Sequence, residues 1–198
     1  MVHSLLRVLL IVVMIATPSA LLAAPAAAGP CVGTWTIGIG GLGNNDSSSF
    51  PTVHQRVGYD SANARSGEDE LNRLVRQHRA WCGRDHIKII GHSQGAGLAH
   101  AWAAANPGFP NTNLILLADP KRAPGPGAGG MSQLLGFMGY PMAGVDNHFG
   151  GIPTLTICNR TDGVCSLDGG PFVFNPAHSA YDFDVRNYVN WGNGVVFI

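Results

Sequence analysis

One pentapeptide of the sequence has the residue types and spacing of a site for nucleophilic chemistry. Gly91-His92-Ser93-Gln94-Gly95 matches the pattern G-x-S-x-G, in which the serine attacks a carbonyl carbon once a base has removed its proton. The pattern directly follows the β-prone stretch Ile87–Ile90 and opens an Ala-rich stretch. A strand, a tight turn and a helix in this order form a nucleophile elbow. We therefore predict that Ser93 is a nucleophile, rather than part of a plain Gly-Ser turn.

Two later residues could complete a catalytic set with this serine. Asp162 lies in a short loop after a predicted strand, and His178 follows sixteen residues later. In α/β hydrolases the nucleophile, the acid and the base occur in this order along the chain. We expect Asp162 to orient His178, and His178 to take the proton of Ser93. The competing interpretations are an ordinary Asp-Gly turn at Asp162 and a surface histidine at His178.

A second acid–base pair is possible in the same half of the chain. Asp119 closes the predicted third strand, where some hydrolases place their acid, and His148 lies in the Gly-rich segment beyond it. This pair is the alternative to Asp162 and His178. The other histidines precede or adjoin the serine and are interpreted as surface or packing residues: His54, His78, His86, His92 and His100.

Acyl transfer also needs donors for the negative charge of its tetrahedral intermediate, and two backbone N–H groups usually supply them. The amide of Gln94 is one expected donor, because it follows the nucleophile at the start of a predicted helix. The second is expected from the glycine loop after the first predicted strand, near Gly41 or Leu42. A plain flexible loop is the alternative interpretation of residues Gly40–Gly43.

Hydrophobic periodicity predicts strands that alternate with helices. The predicted strands are Thr34–Ile39, His86–Ile90, Asn113–Ala118 and Pro153–Ile157. The predicted helices run from a capping-box pattern at Ser66 and Asp69 to Gly83, from Gly95 to Asn106, and from Ser179 to Val189. Alternating elements of this kind indicate an α/β fold, with a central, mostly parallel sheet flanked by helices.

Residues 121–151 interrupt this alternation. They are rich in Gly and Pro but carry seven large apolar side chains: Met131, Leu134, Leu135, Phe137, Met138, Tyr140 and Met142. Two interpretations stay open. The segment is either a loop packed against the edge of the sheet, or a wall or partial lid of an apolar substrate cleft.

The four cysteines of the chain are Cys31, Cys82, Cys158 and Cys165. An even number in an exported chain suggests two disulfide bonds, for which three pairings exist. Proximity in the sequence favours Cys158 with Cys165, which leaves Cys31 with Cys82. A zinc site is disfavoured because the chain has no C-x-x-C spacing, and we expect no metal or cofactor.

The charge balance excludes some classes of protein. Twelve Lys and Arg residues balance twelve Asp and Glu residues, so the chain lacks the basic surface that a nucleic-acid partner requires. A hydrophobic share of 45% excludes intrinsic disorder. The expected partner is instead an ester or a lipid substrate, and the protein is expected to be a monomer.

The first 28 residues are predicted to be a secretory signal peptide. His3 and Arg7 precede the apolar run Val8–Ile15, and the small residues 26–28 suit a cleavage site. A membrane anchor is the alternative, but residues 17–19 interrupt the apolar run well short of the ~18 residues that a span needs. Residues 29–198 are then one hydrolase domain without a membrane span, either extracellular or in the cell envelope.

Three motifs in this order resemble the cutinase family of serine esterases. They are Gly91-His92-Ser93-Gln94-Gly95-Ala96, Cys158-Asn159-x-x-Asp162-x-x-Cys165 and His178-x-x-Tyr181. The turn Ala118-Asp119-Pro120 also resembles actinobacterial cutinase-like proteins and the hydrolase domain of PE-PPE proteins. The sequence departs from the family pattern at His92, which is often Tyr, and at Gly41-Leu42, where cutinases commonly offer a Ser or Thr hydroxyl.

This resemblance runs from about Cys31 to Trp191, nearly the whole chain after the predicted signal peptide. It implies a compact α/β-hydrolase fold without a large cap. The resemblance further implies a Ser93–Asp162–His178 triad, the disulfides Cys31–Cys82 and Cys158–Cys165, and hydrolysis of fatty-acyl esters.

The sequence thus predicts a secreted serine esterase that acts through an acyl-enzyme. One alternative is a cell-envelope glycolipid esterase or acyltransferase that uses the same triad. The other is a non-catalytic binder of lipid or cell wall that has kept the fold.

Overall fold

The computed structural model describes residues 31–170 and 175–198, so the predicted signal peptide at residues 1–28 lies outside the described residues. The strands are β1 (Thr34–Ile39), β2 (Gln55–Arg56), β3 (His86–His92), β4 (Thr112–Leu117), β5 (Thr154–Cys158) and β6 (Gly194–Phe197). The α-helices are α1 (Ala64–Trp81) and α2 (Gln94–Ala105). In this part of the chain, no helix combines the length and apolar character needed to cross a membrane.

The strands form one sheet in the order β2-β1-β3-β4-β5-β6, and each neighbouring pair is parallel. The predicted parallel α/β architecture is therefore confirmed. From β1 the chain proceeds to β2 on one side, whereas from β3 it proceeds to β4 on the other side. In open α/β sheets, ligands bind beyond the carboxyl ends of the strands at such a switch point. The loops after β1 and β3 meet there, because Ile39 pairs with Gly91.

Alternate residues of each strand contribute to different apolar cores on the two faces of the sheet. Ile37, Ile89 and Leu114 lie in one core with residues of α1 and α2. Their neighbours Ile90 and Ile115 lie in the other core. Residues outside the α-helices and strands supply much of this second core, and Phe50, Tyr181 and Val185 are among them. Only the first face is therefore covered by α-helices among the described residues.

The helix predicted over Ser179–Val189 is wrong. The chain here makes two short 3₁₀ turns, Pro176–Ser179 and Val185–Asn187. Aspartate side chains explain the difference, because Asp182 accepts from the amide of Asp184, and Asp184 accepts from the amide of Arg186. These local hydrogen bonds compete with the helical pattern.

Two further sequence predictions need correction. Helix α1 begins before Ser66, and the Ser66 hydroxyl donates to the carbonyl oxygen of Asn63 (2.7 Å) instead of capping the helix. The edge strands β2 and β6 were not predicted. The first is only two residues long, and four of the five residues of the chain end Gly194–Ile198 are exposed, which gives no clear alternation.

A cluster of charged groups around the buried His100 holds the segment between β4 and β5, residues 118–153. His100 on α2 lies between two carboxylates, with Nδ1 2.8 Å from Asp119 and Nε2 3.0 Å from Asp146. Burial opposes the charge of His100, but the two carboxylates outweigh it and raise its pKa. Between these anchored ends the segment exposes apolar side chains, including Phe137 at 85%. The segment is thus anchored like a packed loop, and it also presents an apolar surface.

Both disulfide bonds suggested by the sequence are present. Cys31–Cys82 joins the residues before β1 to the end of α1, across a sequence separation of 51. Cys158–Cys165 closes a separation of 7 at the end of β5. The first bond links distant elements, whereas the second shapes a single loop.

We predict that the two disulfides differ in their contribution to stability. In the chain-entropy model, the Cys31→Ser/Cys82→Ser variant should lose about 4 kcal/mol of unfolding free energy, and the Cys158→Ser/Cys165→Ser variant about 2 kcal/mol, because the longer loop restricts the unfolded chain more. Denaturant unfolding of both double variants measures the difference. A larger loss on removing the short loop would contradict this ranking.

Candidate active site

Ser93 occupies the tight turn between β3 and α2. Its backbone has φ 57° and ψ −125°, a left-handed conformation that costs a non-glycine residue about 1–3 kcal/mol. The flanking chain approaches so closely that side chains are excluded. A methyl group at Gly91 would lie 2.6 Å from the carbonyl oxygen of Gly95, and one at Gly95 would lie 2.2 Å from that of Ile39. Both glycines of the motif are therefore required by packing.

The structure brings His178 and Asp162 to the hydroxyl of Ser93. The Nε2 atom of His178 lies 2.9 Å from Ser93 Oγ, and its Nδ1 atom lies 3.0 and 3.1 Å from the two carboxylate oxygens of Asp162. A carboxylate only accepts hydrogen bonds, so Nδ1 carries the proton and Nε2 can accept from the serine. This arrangement can move a proton from Ser93 to His178 while the serine oxygen attacks an electrophile.

Asp162 is fully buried, yet it is held in its charged form. Burial alone would raise its pKa, but hydrogen bonds from His178, Tyr181 and the amide of Val164 outweigh burial and lower it. The Tyr181 hydroxyl donates to Asp162 at 2.7 Å, and the Val164 amide donates at 2.9 Å. Tyr181 also accepts from the amide of Asn159 at 3.0 Å. The acid therefore sits in a preformed set of donors.

The loop that carries His178 is tied to the loop that carries Asp162. The side chain of Asn175 accepts from the amide of Ala177 at 2.9 Å and donates to the carbonyl oxygen of Thr161. His178 itself lies in the 3₁₀ turn Pro176–Ser179. Side-chain hydrogen bonds, rather than a regular helix, thus fix the base.

Gln94 and Gly41, for which the sequence predicts a role as oxyanion donors, both lie next to Ser93. Gln94 is the first residue of α2, and the amides of a first helical turn point away from the helix toward any nearby anion. A methyl group at Gly41 would lie 2.9 Å from Ser93 Cβ and 3.4 Å from its Oγ. The glycine loop after β1 therefore lies against the serine side chain.

The buried hydroxyl of Tyr59, which the sequence does not reveal as a site residue, links Gln94 to the glycine loop after β1. The hydroxyl of Tyr59 lies 2.7 Å from the carbonyl oxygen of Gly40 and 3.1 Å from Gln94 Oε1. The Gln94 side chain in turn donates to the carbonyl oxygen of Ser61 at 3.0 Å. The backbone amide of Gly40 donates to the hydroxyl of Ser47 at 2.8 Å. No motif marks these residues, because their role depends on chain segments that meet only in the fold.

The alternative pair of Asp119 and His148 is not assembled. The Asp119 carboxylate is fully buried and bonded to His100 and to the amide of Lys121. His148 is exposed, and its backbone amide donates to Asp146 at 2.7 Å. Asp119 therefore anchors the segment between β4 and β5 instead of orienting a base.

One group of possible metal-ligating side chains occurs within residues 31–170 and 175–198. It consists of Cys31, Cys82 and Asp85. The two sulfur atoms are bonded to each other, and Asp85 accepts from the amides of Val32 and Gly33. A disulfide provides no thiolate ligand, so this group does not suit a metal ion.

The chain is similar to known proteins in its fold but not in its sequence. The sequence matches no protein-family model and no curated protein. A solved structure of a cutinase-like protein from Cryptococcus sp. is similar to the chain, with a TM-score of 0.60, 18% identity, and coverage of 80% of this chain and 89% of that chain. The fold is that of a cutinase-like α/β hydrolase.

Two other solved structures are less similar. One is an α/β serine hydrolase without a lid from Xanthomonas campestris, with 16% identity, a TM-score of 0.40, and coverage of 86% of this chain and 74% of that chain. The other is an α/β serine hydrolase homologue from Coxiella burnetii, with 16% identity, a TM-score of 0.39, and coverage of 83% and 73%. The assignment of a cutinase-like fold therefore depends on the Cryptococcus structure.

We predict that Gly41→Ala slows the reaction of Ser93 with a fluorophosphonate probe roughly 100-fold, as expected when an oxyanion donor is displaced. The added methyl group would crowd Ser93 Cβ at 2.9 Å. The matched control is Gly58→Ala, at an exposed glycine where the nearest atom to the methyl group lies at 4.0 Å. Equal labelling rates for both variants would remove Gly41 from the site.

The hydroxyl of Tyr181 gives a pH-dependent prediction. Asp162 has a lowered pKa in the folded protein, so its contribution to stability is present above the unfolded pKa and is lost as pH falls through the folded pKa. Tyr181→Phe should therefore cost about 1.5–3 kcal/mol of unfolding free energy at pH 7. The cost should shrink at low pH, where Asp162 becomes neutral.

The control for this measurement is Tyr188→Phe. The Tyr188 hydroxyl donates to the uncharged carbonyl oxygen of Asp182 at 2.7 Å, so its loss should cost the same at both pH values. Denaturant unfolding at pH 7 and at a pH well below 3.8, the ordinary pKa of an aspartate, gives the comparison. A cost for Tyr181→Phe that does not change with pH would show that its bond to the Asp162 carboxylate is unimportant.

Proposed function

We propose that the protein is a secreted serine esterase that hydrolyses fatty-acyl carboxylic esters. The observation that carries the proposal is the hydrogen-bonded series Ser93–His178–Asp162 at the switch point of a cutinase-like fold. Ser93 Oγ attacks the ester carbonyl carbon while His178 takes its proton. His178 then gives that proton to the departing alcohol, and an acyl-enzyme is left on Ser93.

Water completes the proposed reaction. His178 takes a proton from the water molecule that attacks the acyl-enzyme, and then returns a proton to Ser93 as the carboxylic acid leaves. Asp162 stays ionised throughout and stabilises the imidazolium form of His178. The amides of Gln94 and Gly41 are the proposed donors to the oxyanion, and Tyr59 holds their two chain segments together. No cofactor takes part in these steps.

A small cleft lies between residues at the start of α1 and residues 138–142, and we propose that it holds part of the substrate. It has a volume of about 210 Å³ and is lined by Ala62, Asn63, Ala64, Arg65, Met138, Tyr140, Pro141 and Met142. One lining residue, Ala62, follows Ser61 in the chain, and the carbonyl oxygen of Ser61 accepts a hydrogen bond from the Gln94 side chain. The cleft is smaller than the 300–1,000 Å³ of drug-sized ligand sites, so we propose that it takes a short acyl chain.

The covalent structure supports secretion. Two disulfide bonds persist in oxidising compartments and are rare in the cytosol. We therefore propose that residues 29–198 are the mature hydrolase domain in the extracellular space or cell envelope, after removal of the predicted signal peptide at residues 1–28. Its partner is the ester or lipid substrate, and it acts as a monomer without nucleic acid.

The proposal predicts that a fluorophosphonate probe labels the folded protein and that Ser93→Ala abolishes both labelling and hydrolysis of p-nitrophenyl esters. Values of kcat/KM should fall from the butyrate to the palmitate ester, because the cleft is small. Activity should rise from acid toward neutral pH, because only neutral imidazole can accept the serine proton.

Ser66→Ala, on α1, is the matched serine control and should keep full labelling. If the folded wild-type protein stays unlabelled, the alternative hypothesis of a non-catalytic protein that binds lipid or cell wall replaces the esterase. If acyl groups pass to an added alcohol faster than to water, the acyltransferase alternative replaces the esterase.

A further inference from the structure

His92, the residue before the nucleophile, packs directly against the proposed base. Its ring lies 4.7 Å from the ring of His178, measured between centroids, with the two planes inclined by 33°. The rings of Tyr181 and Phe183 surround it at 5.7 and 5.0 Å. His92, which the sequence suggests is a surface or packing residue, therefore has a specific neighbour in the structure.

The same imidazole holds the backbone of the base. His92 Nε2 lies 2.8 Å from the carbonyl oxygen of His178. A carbonyl oxygen only accepts hydrogen bonds, so Nε2 of His92 carries the proton. Asn175 and Asp162 hold the same loop to the acid side of the site. His92 instead links it to β3, the strand that ends at the nucleophile.

We propose that His92 is a positioning residue: its Nε2–H fixes the carbonyl oxygen of His178, and its ring packs against the imidazole that takes the serine proton. This inference rests on the proposed esterase function and deepens it. It gives the chain a second histidine that must be neutral for the reaction, although only His178 exchanges a proton with Ser93.

The groups around His92 explain why it stays neutral. Its neighbours include the base His178, the uncharged Tyr181 hydroxyl and the apolar ring of Phe183, with the carboxylate of Asp162 beyond the base. Burial and the nearby His178 ring lower the pKa of His92 to about 4, against smaller opposing effects of its hydrogen bond to the His178 carbonyl oxygen and of the Asp162 carboxylate. A charged His92 would repel the imidazolium that forms on His178 during the reaction. The neutral form therefore favours catalysis.

Two substitutions separate the hydrogen bond from the charge. His92→Phe keeps a ring but removes the donor, so kcat for p-nitrophenyl butyrate should fall roughly 10- to 100-fold with KM changed less than about twofold, as expected when a catalytic group is misplaced. His92→Gln keeps an amide donor at a similar reach and cannot become charged. It should restore kcat at pH 7 to within about fivefold of the wild type.

The pH profile tests the neutral form. In the wild type, log kcat/KM should fall more steeply with decreasing pH near pH 4, where His92 becomes protonated. His92→Gln should lack this additional fall, because glutamine cannot become charged. The matched control is His86→Gln, at the opposite end of β3, where the histidine bonds to Asn113 instead. This control should keep the steep wild-type limb.

The outcomes distinguish this proposal from the esterase function. Absence of Ser93-dependent hydrolysis in the wild type would overturn the proposed function, and this inference with it. If hydrolysis is present, either a wild-type kcat in His92→Phe or identical acid limbs in the wild type and His92→Gln would overturn the role of His92 alone. Thermal unfolding at each pH confirms that the compared proteins are folded.

Discussion

The close approach of two backbone segments is the constraint on which the candidate site depends. The start of α2 packs so tightly on the end of β1 that a methyl group at Gly95 would lie 2.2 Å from the carbonyl oxygen of Ile39. This contact places Ser93 in its strained turn and sets the glycine loop after β1 against it. The parallel pairing of β1 with β3 holds both segments in the same register. Nucleophile and proposed oxyanion donors are therefore positioned by one packing arrangement.

The proposed acid and base, Asp162 and His178, are positioned differently, since they lie on loops without long regular elements. Their geometry comes from buried hydrogen bonds around Asp162 and from the disulfide that closes its loop. His178 is held from two sides, by the acid loop and by His92 on the nucleophile strand. A rigid sheet thus carries the proposed nucleophile, while hydrogen-bonded loops bring the proposed proton-transfer groups to it. Such loops on a rigid scaffold are a common place for functional residues.

Buried polar groups account for most of what motif analysis could not find. Tyr59, His100 and His92 each bond to partners that are distant in the sequence, at Gly40, Asp119 and His178. A tyrosine or histidine has no local pattern that reveals such a partner, whereas an unpaired polar group would be costly once buried. The Asp119 carboxylate shows the consequence, because its position after a strand suggested an acid of the site, and burial beside His100 gave it an anchoring role.

The sequence by itself determined the parallel α/β architecture, the limits of the central strands to within two residues, and the three residues that meet at the site. Local periodicity and turn chemistry suffice for these features, because β-branched runs, glycine turns and an Ala-rich stretch act through near neighbours. Only the tertiary structure decided that residues 179–189 form short turns, that Tyr59 links the glycine loop to α2, and that His92 packs against His178. These outcomes depend on contacts between segments far apart in the chain, and no local pattern encodes them.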